Sequence, residues 1–116
     1  MHRWLSSGHE LFSPVLLLAE VAGAVSRRTQ MPSLSTQVIQ RLQREPQMRL
    51  VGIDNLLAQE AAGVAAAHSI KGADATYVAL ARRLELSLIT WDDEQRSRAG
   101  HLIDAMTPAE ALERMA

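Results

Sequence analysis

Three carboxylates in this chain occupy apolar stretches where a charged side chain is unexpected. Asp74 stands near the start of an apolar helical pattern, and Asp92 follows a short apolar strand pattern. Glu20 is the one charged residue within residues 15–25. A carboxylate loses hydration free energy wherever it leaves water, so the three residues call for a shared partner. A hard divalent cation takes oxygen ligands of this kind, which makes them candidate metal ligands.

Each of these carboxylates also has a purely structural interpretation. Glu20 could be a partly exposed helical residue or the partner of a distant arginine, since no cation lies three or four positions away. Asp74 could complement the dipole of the helix that it begins. Asp92 could cap the next helix, with Gln95 completing a capping box. The sequence leaves both interpretations open for all three residues.

Other catalytic arrangements are missing from the sequence. The chain has no cysteine, which excludes disulfides and thiolate metal sites. Its histidines have no zinc-binding spacing, and neither a nucleophilic Gly-x-Ser-x-Gly motif nor a phosphate-binding Gly-x-x-x-x-Gly-Lys loop occurs. We expect the four histidines at the surface: His2, His9, His68 and His101.

Strand and helix patterns alternate along the chain, apart from residues 3–5, where we expect the end of a helix. Strands are predicted at residues 11–13, 48–53, 86–91 and 102–106, and helices at 14–28, 34–45, 55–68, 73–84, 93–99 and from 108 onward. Such alternation predicts a parallel sheet with helices on both faces. Ligands of these sheets bind beyond the carboxyl ends of the strands, which is where Asp92 is placed.

The composition predicts a single soluble domain over residues 1–116. The net charge of −1 gives no general attraction to nucleic acid, so RNA contact would need a local basic patch. The apolar run 15–19 stops at Glu20, far short of the roughly 20 residues of a membrane-spanning helix. The first residues lack a secretory-signal pattern. We therefore expect a cytoplasmic protein without a membrane segment.

The order of these motifs resembles the PIN domain family, and in particular the VapC-type toxins of bacterial toxin–antitoxin pairs. Residues 12–25 resemble the family's short strand and following helix, with Glu20 on an acidic position. Residues 72–81 resemble its most specific motif, with Asp74 on the third acidic position. Asp92 belongs to a Thr-x-Asp element and falls on the fourth acidic position of the family.

The resemblance implies a three-layer α/β/α fold with a mainly parallel sheet and the activity of a metal-dependent ribonuclease. Under this interpretation Glu20, Asp74 and Asp92 are the catalytic residues and ligate Mg²⁺ or Mn²⁺. Thr90 would orient Asp92 or help to hold the metal site. A cognate antitoxin and a homodimer are the implied protein partners. The cations that could contact the RNA backbone, or equally form solvated helix faces, are Lys71, Arg82, Arg83, Arg96 and Arg98.

One departure from the family pattern concerns its first acidic residue. Similar PIN domains begin with a central strand that ends in an aspartate, whereas only Glu10 and Glu20 precede Asp54 here. We therefore expect an N-terminally truncated domain that lacks this strand. The sequence could be a truncated form of a full enzyme or a degenerate remnant of one, or a neighbouring chain could supply the missing strand. The expected function is an impaired toxin ribonuclease. The alternatives are an inactive binding or dimerisation module and an unrelated α/β protein whose helix caps mimic the motifs.

Overall fold

The structure is a computed structural model that describes residues 3–7, 10–90 and 92–115. Its strands are β1 (Arg3–Ser7), β2 (Glu10–Pro14), β3 (Met48–Val51), β4 (Ser87–Thr90) and β5 (Ala105–Met106). Its helices are α1 (Leu16–Thr29), α2 (Pro32–Arg44), α3 (Asn55–His68), α4 (Gly72–Leu84), α5 (Asp93–Ala99) and α6 (Pro108–Met115). The described strands form one sheet in the order β3-β2-β1-β4-β5.

Four of the five described strands run in the same direction. β2 pairs in parallel with β3, and β4 pairs in parallel with β5. β1 lies between β2 and β4 and is antiparallel to both. Since β2 and β4 both oppose β1, they run alike. The sheet is therefore mainly parallel, as expected, with one reversed strand at its centre.

The central strand β1 corrects the expectation of a helix end at residues 3–5. Arg3–Ser7 hydrogen-bonds as a strand to β2, its neighbour in the chain, and to β4, which is remote in sequence. A segment this short carries too little periodicity to separate strand from helix, so its partners decide its conformation. The sequence of β1, Arg-Trp-Leu-Ser-Ser, contains no carboxylate.

Side chains that alternate along β4 show that helices cover both faces of the sheet. Leu88 belongs to the main core together with Leu57 of α3 and Tyr77 of α4. The next residue, Ile89, packs instead with Ala111 of α6. Successive side chains of a strand point to opposite faces, so the two clusters lie on opposite sides of the sheet. This is the expected α/β/α architecture.

Local capping explains where several helices begin. Asp54 caps α3 by accepting a hydrogen bond from the backbone N–H of Leu57 at 2.7 Å. Thr107 and Glu110 form a capping box at the start of α6 through two reciprocal bonds of 3.1 Å. The bond from the Thr107 backbone N–H lowers the pKa of the Glu110 carboxyl. Pro32 occupies the first turn of α2, which therefore begins two residues earlier than predicted.

Within the part of the chain that the structure describes, no helix combines the length and apolar character needed to cross a membrane. Of the histidines, His68 is half-buried near the end of α3 and His101 is exposed. His2 and His9 lie outside the described residues.

Candidate active site

Asp74 and Asp92 meet at one small pocket beyond the carboxyl end of β4. Asp74 lies in the first turn of α4, and Asp92 stands between β4 and α5. Both line a cavity of about 40 Å³. One water molecule needs roughly 10–15 Å³, so the cavity can hold a few waters or a partly hydrated cation but not a nucleotide base. The remaining lining residues are Ile70, Lys71, Glu94, Gln95 and Arg98.

Backbone hydrogen bonds hold Asp92 at the start of α5. Its Oδ1 accepts from the N–H groups of Glu94 and Gln95 at 2.9 and 3.1 Å. Its own N–H donates to Thr90 Oγ1 at 3.1 Å, in agreement with the predicted orienting role of Thr90. The structural interpretation of Asp92 as a helix cap is therefore confirmed. The cap bonds use Oδ1, so capping and metal ligation are compatible for this residue.

Thr90, the last residue of β4, is itself fixed from two directions. It is fully buried, and its carbonyl accepts a hydrogen bond from Arg96 Nη1 at 2.7 Å. Arg96 also pairs with Asp93 one turn earlier on α5. This arginine therefore ties the end of β4 to the helix that follows. Trp91, between Thr90 and Asp92, lies outside the described residues.

The side chain of Gln95 is buried but unsatisfied. It is 3% exposed, and neither its amide oxygen nor its amide nitrogen has a hydrogen-bond partner among the described residues. A capping box would return this side chain to the N–H of Asp92, but that N–H binds Thr90 instead. The prediction of a capping box here is therefore wrong. An unpaired buried amide costs roughly 1–3 kcal/mol.

Glu20 is not among the residues that line this pocket. Its Oε1 accepts a hydrogen bond from the hydroxyl of Tyr77 at 2.8 Å. Tyr77 is buried on α4, about one helical turn after Asp74. Among the described residues, no three His, Cys, Asp or Glu side chains form a group that could hold a metal ion. The three-carboxylate metal site therefore stays a prediction, with two of its members at one pocket.

We expect Tyr77→Phe to lower the free energy of unfolding by about 0.5–1.5 kcal/mol. The phenyl ring keeps the packing of the tyrosine but removes the hydroxyl that binds Glu20. Urea denaturation followed by circular dichroism measures the change. In the control Glu20→Gln, an acceptor oxygen for the hydroxyl is retained, so a smaller loss is expected. A Tyr77→Phe variant as stable as the original chain would contradict a stabilising hydrogen bond.

Several cations predicted to contact RNA are paired with carboxylates. Arg83 binds Glu60 at 2.6 Å, and this hydrogen bond raises the pKa of the guanidinium. Arg98 binds Glu94 at 2.5 Å and also donates to the carbonyl of Ser69. Lys71 is exposed and lines the pocket beside Asp74 and Asp92.

Two of the polar pocket residues, Glu94 and Gln95, were not recognised as such from the sequence. The sequence predicts Glu94 as a solvated residue in the first turn of a helix, and it predicts Gln95 as part of a capping box. A signal for Gln95 does exist in the sequence. It lies four residues before the apolar Ala99, and residues at this spacing share one face of a helix. The inward face of α5 therefore begins with a polar side chain.

Comparison with known protein families agrees with this architecture. The family model described as PIN domain matches residues 1–101, and the chain belongs to the PIN domain family. Membership implies a nuclease-type fold, binding of RNA and the use of divalent metals that is usual for the family. Membership in the family also excludes the alternative of an unrelated α/β protein whose helix caps mimic the motifs. The VapC-type resemblance stays a prediction, and no curated protein matches the chain.

Proposed function

We propose that this PIN domain is a divalent-metal-dependent ribonuclease and the toxin component of a type II toxin–antitoxin pair. The observation that supports the activity is the pocket shared by Asp74 and Asp92 at the carboxyl end of β4. Parallel α/β sheets bind their ligands at this end. The toxin role rests on the resemblance of the motifs to VapC-type toxins.

The donor atoms at this pocket suit Mg²⁺ or Mn²⁺. Both ions prefer carboxylate, carbonyl and water oxygens, and the two aspartates supply the carboxylates. Thiolate ligands are excluded because the chain has no cysteine. A bound divalent ion would neutralise charge that develops on a phosphodiester and lower the pKa of a bound water.

The protein residues around the aspartates would position the substrate and keep the site rigid. The backbone bonds to Asp92 fix its carboxylate before a substrate arrives, so that little reorganisation is needed. Lys71 lines the same pocket and is placed to bind a phosphate oxygen of the RNA backbone. Glu20, which accepts a hydrogen bond from Tyr77, is proposed as the third carboxylate of the site.

A second candidate function is an inactive PIN domain that serves as a binding or dimerisation module. Two observations favour it: no metal-binding group of three residues occurs in the described part of the chain, and the central strand β1 carries no carboxylate. The two candidates differ in one measurable property. The nuclease is expected to cleave a structured RNA in the presence of Mn²⁺ and to stop when EDTA is added. The binding module is expected to cleave no RNA.

The proposal includes a cognate antitoxin and a homodimer, which are taken from the family resemblance, and a cytoplasmic location, which is taken from the sequence. Light scattering of the purified chain tests the homodimer. Co-purification of a protein encoded beside this gene tests the antitoxin.

Substitutions of Asp92 separate its structural role from its chemical role. We expect Asp92→Asn to abolish RNA cleavage with little change in stability, because asparagine caps helices as well as aspartate does. Asp92→Ala should abolish cleavage and also lower the free energy of unfolding by about 0.5–2 kcal/mol, since the cap bonds are lost. RNA cleavage assays and urea denaturation measure the two effects. Full activity of Asp92→Asn would leave Asp92 with a capping role alone.

A further inference from the structure

No hydrogen bond among the described residues accounts for the burial of the Gln95 amide. The side chain is 3% exposed, and both polar atoms lack partners among the described residues. Methionine or leucine would fill a similar volume at this position with no unpaired polar atoms. Local arrangements that lower stability in this way concentrate at functional sites. Gln95 is therefore a candidate for direct contact with a ligand.

The location of Gln95 indicates which kind of ligand. The residue lines the same 40 Å³ pocket as Asp74 and Asp92. Its backbone N–H binds Asp92 Oδ1 at 3.1 Å, so the first turn of α5 holds these two residues together. Amide carbonyl oxygens are regular ligands of hard divalent cations, along with carboxylates and waters. Four lining side chains thus carry oxygen donors suited to a cation, and one of them, Glu94, pairs with Arg98.

We propose that the Gln95 amide oxygen is an additional protein ligand of the divalent cation held by Asp74 and Asp92. This inference rests on the proposed function, because it assigns a further ligand to the same pocket. Gln95 lines the pocket itself, whereas Glu20, the third carboxylate of the proposed site, binds Tyr77 and is not a lining residue. A neutral oxygen at this position adds a ligand without adding a third negative charge to the two aspartates.

A trapped water molecule is the competing explanation for the buried amide. Buried waters commonly satisfy polar groups of this kind, and the cavity is large enough for one. The two explanations predict different effects of Gln95→Met. The substitution removes the amide oxygen but keeps the cap bond of Asp92, which the backbone N–H of residue 95 makes.

The test is Mn²⁺ binding to the 116-residue chain, measured by isothermal titration calorimetry and by the change in melting temperature on adding Mn²⁺. We expect Gln95→Met to raise the Mn²⁺ dissociation constant about tenfold or more, since even indirect metal contacts have effects of this size. In EDTA its melting temperature should equal or exceed that of the original chain. Gln95→Glu, which keeps an oxygen donor, should bind Mn²⁺ at least as tightly as the original. The matched control is Gln59→Met on the exposed face of α3, which should change neither quantity.

The possible outcomes separate this inference from the proposed function. Unchanged Mn²⁺ affinity in Gln95→Met, together with loss of binding in Asp74→Asn, would overturn the role of Gln95 and leave the proposed site standing. Absence of Mn²⁺ binding to the original chain would overturn both. Weaker binding by Gln95→Glu than by Gln95→Met would also count against an oxygen ligand at this position. The inference is supported if Gln95→Met weakens Mn²⁺ binding and the control Gln59→Met does not.

Discussion

Asp74→Asn is expected to reduce metal-dependent RNA cleavage by roughly a hundredfold or more, since a metal ion contributes several kcal/mol to the stabilisation of transition-state charge. Asparagine keeps the size of the side chain but removes the charge that would hold the cation. Asp74 lies in the first turn of α4, where its interaction with the helix dipole is worth only about 0.3–1 kcal/mol. Asparagine also keeps an oxygen acceptor for other contacts of this side chain, so the variant should stay folded while losing activity.

The measurement is the rate of cleavage of a structured RNA with Mg²⁺ or Mn²⁺, with EDTA as the blank. Asp54→Asn is a suitable control because Asp54 also begins a helix, caps it through Leu57 and is not a pocket residue. Asparagine is an equally good cap, so this variant should keep both stability and activity. Equal cleavage rates for the two variants would remove Asp74 from the proposed site.

Leu88→Ala is expected to lower the free energy of unfolding by about 2–5 kcal/mol. Leu88 is fully buried in β4, where it packs in the core formed with α3 and α4. Alanine at this position leaves a cavity that the surrounding strands and helices cannot fill completely. The whole domain is expected to be stable by only about 5–15 kcal/mol, so this loss is a large fraction of the total. Urea denaturation monitored by circular dichroism measures it.

Leu112→Ala provides the matched control for the packing prediction. Leu112 is 69% exposed on α6, so the same substitution should change the free energy of unfolding by no more than about 0.5 kcal/mol. Similar losses in both variants would contradict the core position of Leu88.

Leu88→Ala should also weaken Mn²⁺ binding. The strand β4 ends at Thr90 and leads directly to Asp92, so a less stable β4 holds this aspartate less firmly.

Much of the architecture could be predicted from the sequence because it depends on local patterns. Helical spacing and capping residues defined α3, α4 and α6 to within one or two residues. The same patterns placed Asp74 in the first turn of a helix and Asp92 after a buried strand, and the structure confirms both placements. The motifs that carry the family resemblance are also local, so the PIN domain could be recognised before the fold was known.

The tertiary structure alone decided which of these residues share a pocket. Asp74 and Asp92 line one cavity, while Glu20 binds Tyr77. No spacing in the sequence could show this difference, because α1 is separated from α4 by two helices and a strand. The loss of the Gln95 capping bond also depends on a competition, since Thr90 occupies the N–H that Gln95 would need.

The sequence by itself determined the family, most of the elements and the residues that can carry chemistry, because these follow from residue type and short-range spacing. The tertiary structure decided the centre of the sheet and the membership of the pocket. Residues 3–7 form the central strand only because β2 and β4 supply hydrogen-bond partners on both sides. Gln95 became a candidate ligand only when its burial and its neighbours were known. Both features arise from contacts between residues far apart in the chain, which local patterns do not encode.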